Sequence, residues 1–93
     1  MFRAPRCIEA QVFSSLPEEH RVREGAVVRS GVTRHSLLEG PAFDSAGYLY
    51  CVDLPYGRIF KVAPDGSFQL FAKYDGEPNG LKILPNGSLL IAD

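Results

Sequence analysis

Residues 38–53, LEGPAFDSAGYLYCVD, come back forty positions later as residues 79–93, NGLKILPNGSLLIAD. Gly40 falls on Gly80, Gly47 on Gly87, Leu49 on Leu89 and Asp53 on Asp93. Phe43, Tyr50 and Cys51 fall on the apolar Ile83, Leu90 and Ile91. A period near forty residues, each unit made of short strands and tight turns, is the pattern of a β-propeller blade. The same shift sets Glu39 on Asn79. Two side chains able to bind cations or oxygen-rich ligands therefore begin successive repeats at equivalent places.

Within the first repeat the strands can be read one by one. A strand near residues 37–44 leads to a turn at Ser45-Ala46-Gly47, and a second strand runs over 48–53, YLYCVD. Leu54-Pro55-Tyr56-Gly57 turns the chain into a third strand over 58–63, which stops at Pro64-Asp65-Gly66. SFQLFAK, residues 67–73, sets Phe68, Leu70 and Ala72 against Ser67, Gln69, Phe71 and Lys73 and reads as a fourth. Four antiparallel strands joined by tight turns make one blade. The expected fold class is all-β: a partial β-propeller, about one four-stranded blade plus the start of a second.

Gly40, Pro41 and Ala42 are an unusual choice for an ordinary central strand, because glycine and proline weaken a ladder. On the innermost strand of a blade they are suitable. Small side chains allow close approach around the axis, and a proline on an unpaired edge forfeits no hydrogen bond. Glu39 and Asn79 are then expected on the rim of one opening.

The chain divides at residue 36. Residues 1–36 are read as an N-terminal arm and connection, and residues 37–93 as an incomplete propeller region. In the arm, IEAQVFSSL alternates well enough to predict a strand near 8–16, ending before Pro17. Residues 17–35 are charged, contain Gly25 and Gly31, and show no sustained period, so they read as connection. Arg21, Arg23, Arg29 and Arg34 lack the aromatic or glycine pattern of a phosphate or nucleic-acid site and are expected on a solvated surface. His20 and His35 have no partner at ligand or triad spacing and are expected there too.

Charge narrows the partners. Ten Lys and Arg stand against eleven Asp and Glu, a formal net charge of −1, which suggests neither nucleic acid nor an anionic membrane as a partner. No run approaches the roughly 20 apolar residues of a membrane span, and MFRAPRCIEAQ lacks the continuous apolar core of a secretory signal. A cytoplasmic location is the default expectation. Cys7 and Cys51 are too few for a disulfide framework and show no metal-ligand spacing. Cys51, among apolar strand residues, reads as a small core residue.

The combination of EGP, a glycine turn, VD, RIFKV, PDG and PNGLK over residues 37–93 closely resembles the opening blades of the senescence-marker-protein, gluconolactonase and luciferin-regenerating-enzyme family. The resemblance implies a six-bladed propeller with a divalent cation, often calcium, in its central channel, hydrolysing small-molecule lactones or related esters. It further implies that Glu39, in the EGP motif, is a metal ligand and that Asn79 lies beside the substrate. The family often has Asp where this chain has Gly80, and Glu77 replaces an arginine that contacts sugar in some members.

The family's remaining ligands and its general base come from later blades, so no catalytic residue is assigned within the chain. The expectation is an N-terminal fragment of a metal-dependent hydrolase, inactive and without a tightly bound cation on its own, and prone to self-association. The alternatives are a non-enzymatic propeller that binds ligands or proteins and a small self-standing β domain that uses one blade as an interaction module.

Overall fold

The structure is a computed structural model that describes residues 2–23, 26, 27 and 33–93. It is mainly β. Strands β1 (Ala26–Val27) and β2 (Thr33–Arg34) form a small antiparallel ladder, and β3 (Leu38–Phe43), β4 (Leu49–Asp53), β5 (Arg58–Val62) and β6 (Phe68–Lys73) form a four-stranded antiparallel sheet in sequence order. Strands β7 (Gly80–Ile83) and β8 (Leu89–Ala92) pair as a second, two-stranded sheet, with β7 lying against β3 and β4. Among the described residues no helix is long and apolar enough to cross a membrane.

The forty-residue repeat is visible in the hydrogen bonds. The Gly47 amide donates to the Asp44 carbonyl and the Asp44 amide to the Tyr48 carbonyl; Leu84, Gly87 and Ser88 repeat the pattern, as do Ala63, Gly66 and Ser67. Gly47 and Gly87 have φ of 87° and 85°, a left-handed conformation that a side chain would disfavour. Register repeats as well: Ala42 faces Tyr50 as Lys82 faces Leu90, and Phe43 faces Leu49 as Ile83 faces Leu89.

Strands β4 and β5 carry the core. Tyr50, Cys51, Val52, Ile59, Phe60 and Val62 are all buried, with Phe60 and Val52 fully so. On one face Leu16 and Phe68 pack on Cys51 and Phe60, and the Phe68 ring meets Phe60 edge-on at 5.8 Å. The alternation read for β6 is broken by a bulge. Ile59 faces Ala72 but Phe60 faces Leu70, so Phe71 is the extra residue, and its ring meets Tyr50 edge-on at 5.3 Å.

The strand expected near 8–16 is not formed. Residues 2–17 have no ladder partner among the described residues, and Ile8 and Val12 are exposed. Alternation suits a strand only where an edge lies alongside to bond it. This arm instead buries Leu16 against Cys51 and Phe60 and is pinned by the Ser14 hydroxyl donating to the Gly66 carbonyl at 2.6 Å.

The connection holds more structure than its composition suggests: a 3-10 turn at Glu18–His20 and the β1–β2 ladder. Gly25, Arg29 and Gly31 lie outside the described residues. Arg21 and Arg23 are on the exposed surface, paired with Glu18 at 3.6 and 2.7 Å. His35 is exposed and its ring bonds the Val22 carbonyl. His20 corrects the sequence reading: its side chain is 21% exposed and its ring packs edge-on against Phe60 at 5.1 Å. The long-range contact with Phe60 decides its environment, and no local pattern records that contact.

Candidate functional site

The two residues that begin the repeats are brought side by side through Gly40. In β3, Glu39 faces Val52 and Ala42 faces Tyr50, so one residue too many lies between them. Gly40, with φ of 61°, takes up the excess as a bulge, leaving Pro41 where no ladder bond is required. A Cβ on Gly40 would stand 3.1 Å from the Leu81 nitrogen and 3.3 Å from the Asn79 carbonyl oxygen. The starts of β3 and β7 are therefore in backbone contact, and the positive φ and close approach favour glycine there.

Glu39 is half-buried. Its Oε1 is shielded from solvent and has no hydrogen-bond partner. A buried carboxylate oxygen left unpaired is costly, since its hydration is lost without replacement. Glu39 also borders an apolar cavity of about 260 Å³, whose walls include Pro41, Leu49, Val62, Phe68 and the arm's Phe13. Asn79 is exposed, and its amide N–H donates to the Ala92 carbonyl at 2.7 Å, which leaves the side chain outside the ladder.

Among the described residues no three His, Cys, Asp or Glu side chains gather as a metal-holding group. Ca²⁺ takes about six to eight oxygens. Glu39 thus fits a hard cation as one anionic ligand, and the Gly40 contact sets the Asn79 backbone close to it. The free Cys51 thiol is buried, and desolvation, then the charge of Asp53, pushes it up to about 11.

A buried, multiply hydrogen-bonded polar group lies elsewhere, and sequence reasoning passed over it. Asp53 is fully buried and Arg58 is 7% exposed. Arg58 donates to Asp53 Oδ2 through Nη2 at 2.5 Å and Nε at 2.8 Å, and through Nη1 to the His20 carbonyl at 2.8 Å. Asp53 Oδ1 accepts from the Ser36 hydroxyl at 3.0 Å and the Leu37 amide at 2.7 Å. The guanidinium also lies over the Tyr56 and Phe60 rings, at 5.3 and 4.9 Å.

All this ties the segment before β3 to the middle of the sheet. The repeat reproduces half of it: Asp93 Oδ1 accepts from the Glu77 amide at 3.2 Å, forty residues beyond the Leu37 bond. The coincidence of Asp53 with Asp93 was the available signal. Comparison with known proteins finds no matching family model, no matching curated protein and no matching solved structure.

Proposed function

We propose that residues 37–93 are the opening blade and the start of the next in a six-bladed, gluconolactonase-like propeller hydrolase, with Glu39 a ligand to a divalent cation and Asn79 beside a lactone or ester substrate. The observation that carries this reading is the buried, unpartnered Glu39 Oε1 beside the backbone contact with Asn79. A carboxylate held in that state gains by meeting a cation, which replaces the hydration it has lost. Bound there, a divalent cation supplies Lewis-acid polarisation of a lactone carbonyl.

The chain's own residues do the positioning. The Gly40 bulge sets Glu39 at the mouth of the contact between β3 and β7, and the exposed Asn79 amide can donate to, and accept from, a polar substrate. The remaining ligand oxygens and the base are left to groups outside this set, so calcium binds residues 1–93 weakly and lactone hydrolysis by them stays at background.

In a protein carrying these residues together with the later blades, Glu39→Gln is expected to remove most metal-dependent hydrolysis and most calcium binding by calorimetry. Asn79→Ala is expected to raise KM with the metal retained. Equal metal loss in the two variants would make Asn79 a ligand. Ligand binding without any hydrolysis would leave a non-enzymatic binding propeller as the better reading.

A further inference from the structure

The arm and the segment entering β3 border a second cleft, of about 470 Å³, whose walls include Ser15, Leu16, Arg21, His35, Ser36 and Leu38. We infer that it is a binding site for a small organic carboxylate, with Arg21 holding the carboxylate group and Leu38 lying against the apolar body. The inference is independent of the metal reading, since neither Glu39 nor Asn79 is among these walls. The volume is within the range of small-molecule sites, roughly 300–1,000 Å³.

Bonds within the chain hold the walls in place. The Val22 amide donates to the His35 carbonyl at 3.2 Å, and the His35 ring bonds the Val22 carbonyl through Nδ1, so the stretch that carries Arg21 is fixed beside His35. Arg21 donates through Nε to the Leu16 carbonyl at 3.2 Å, which sets the guanidinium beside the arm. Its Nη1 and Nη2 make no hydrogen bond among the described residues, and parallel N–H donors match the two oxygens of a carboxylate. The His35 Nε2 and the Ser15 hydroxyl add polar atoms to the same walls. Leu38 is 37% exposed and supplies the apolar contact.

Charge decides the class of anion. Glu18 Oε1 pairs with Arg23 Nη2 at 2.7 Å, while Oε2 stands 3.6 Å from Arg21 Nε, beyond hydrogen-bonding distance. Arg21 is the one arginine or lysine among the described walls, and the Glu18 charge close by repels a dianion more than a monoanion. A monocarboxylate therefore fits better than a phosphate monoester.

The probe is 4-fluorobenzoate, titrated into the full chain and followed by fluorine NMR, with the neutral 4-fluorobenzamide as its control. Saturable binding of the acid and none of the amide are expected. Arg21→Gln leaves the far-ultraviolet dichroism unchanged and weakens binding about tenfold or more, as loss of a charge-assisted pair requires. Glu18→Gln removes the competing carboxylate and tightens binding about threefold, a gain that a merely structural Arg21 would not give. Inorganic phosphate at the same concentration does not displace the probe. The inference is overturned by absence of saturable binding, by equal binding of the amide, by displacement with phosphate, or by an affinity indifferent to both Arg21 and Glu18.

Discussion

The two repeats share turns, register and an aspartate that bonds the segment leading into them, yet one is a core and the other is a surface. Strand β4 is buried along almost its whole length, whereas β8 alternates half-buried and exposed residues. Their apolar content is similar: LYCVD against LLIA. The difference comes from neighbours. β4 has a ladder on each side and the arm's Leu16 over one face, while among the described residues β8 pairs with β7. Burial, and with it stability, follows from how many elements surround a strand more than from what the strand contains.

The sharpest way to break this comparison is to mutate its shared aspartate. Asp53→Asn leaves the Arg58 guanidinium buried without its charge partner and is expected to cost about 3–5 kcal/mol in chemical denaturation. Asp93→Asn, at the exposed equivalent, is expected to change stability by about 1 kcal/mol or less. Equal losses would mean that the second repeat is as tightly built as the first.

Apolar truncation should divide the repeats in the same way. Phe60→Ala empties a fully buried site and is expected to cost about 3–5 kcal/mol, while Leu90→Ala removes an exposed side chain and should stay within about 1 kcal/mol. The paired glycines come next. Gly40→Ala forces a positive φ and pushes against the β7 backbone, with an expected loss of about 1–3 kcal/mol. At Gly80, by contrast, a Cβ would meet the Ala92 methyl at an ordinary 3.6 Å, so Gly80→Ala should be near neutral.

The smallest effect is chemical. Cys7 is exposed and should react with a thiol reagent at neutral pH, whereas Cys51 should react only as the chain unfolds. The sign of the linkage is definite. The folded Cys51 thiol titrates near 11 against an ordinary 9.0, so its contribution to stability is complete below pH 9 and is lost as pH rises through that interval. Cys51→Ser should remove that part of the alkaline destabilisation, and a melting series across pH 8–11 measures it.

How much was legible beforehand depends on the range of the interaction. The four strands of the first sheet were readable to within a residue or so at each boundary, because turn residues and side-chain alternation act over a few positions. So was the β7–β8 hairpin, through the repeat. The expected strand near 8–16 failed for the opposite reason: its alternation is real, but no edge lies beside it. His20 failed likewise, because Phe60, against which its ring packs, is forty residues away. At the candidate site, the pairing of Glu39 with Asn79 came from the repeat alone. The orphaned Glu39 oxygen and the bulge that brings β3 against β7 did not.

By itself, then, the sequence determined where this chain turns, which residues recur, and that the recurring unit is made of antiparallel strands, since turn chemistry and alternation are local properties of the backbone. Tertiary structure alone decided which recurring residue is a core residue and which a surface one. It turned Asp53 into half of a buried ion pair with Arg58 and left Asp93 at the surface, and it shielded Glu39 Oε1 without a partner. Desolvation depends on every neighbour that excludes water, and those neighbours are assembled from the whole chain.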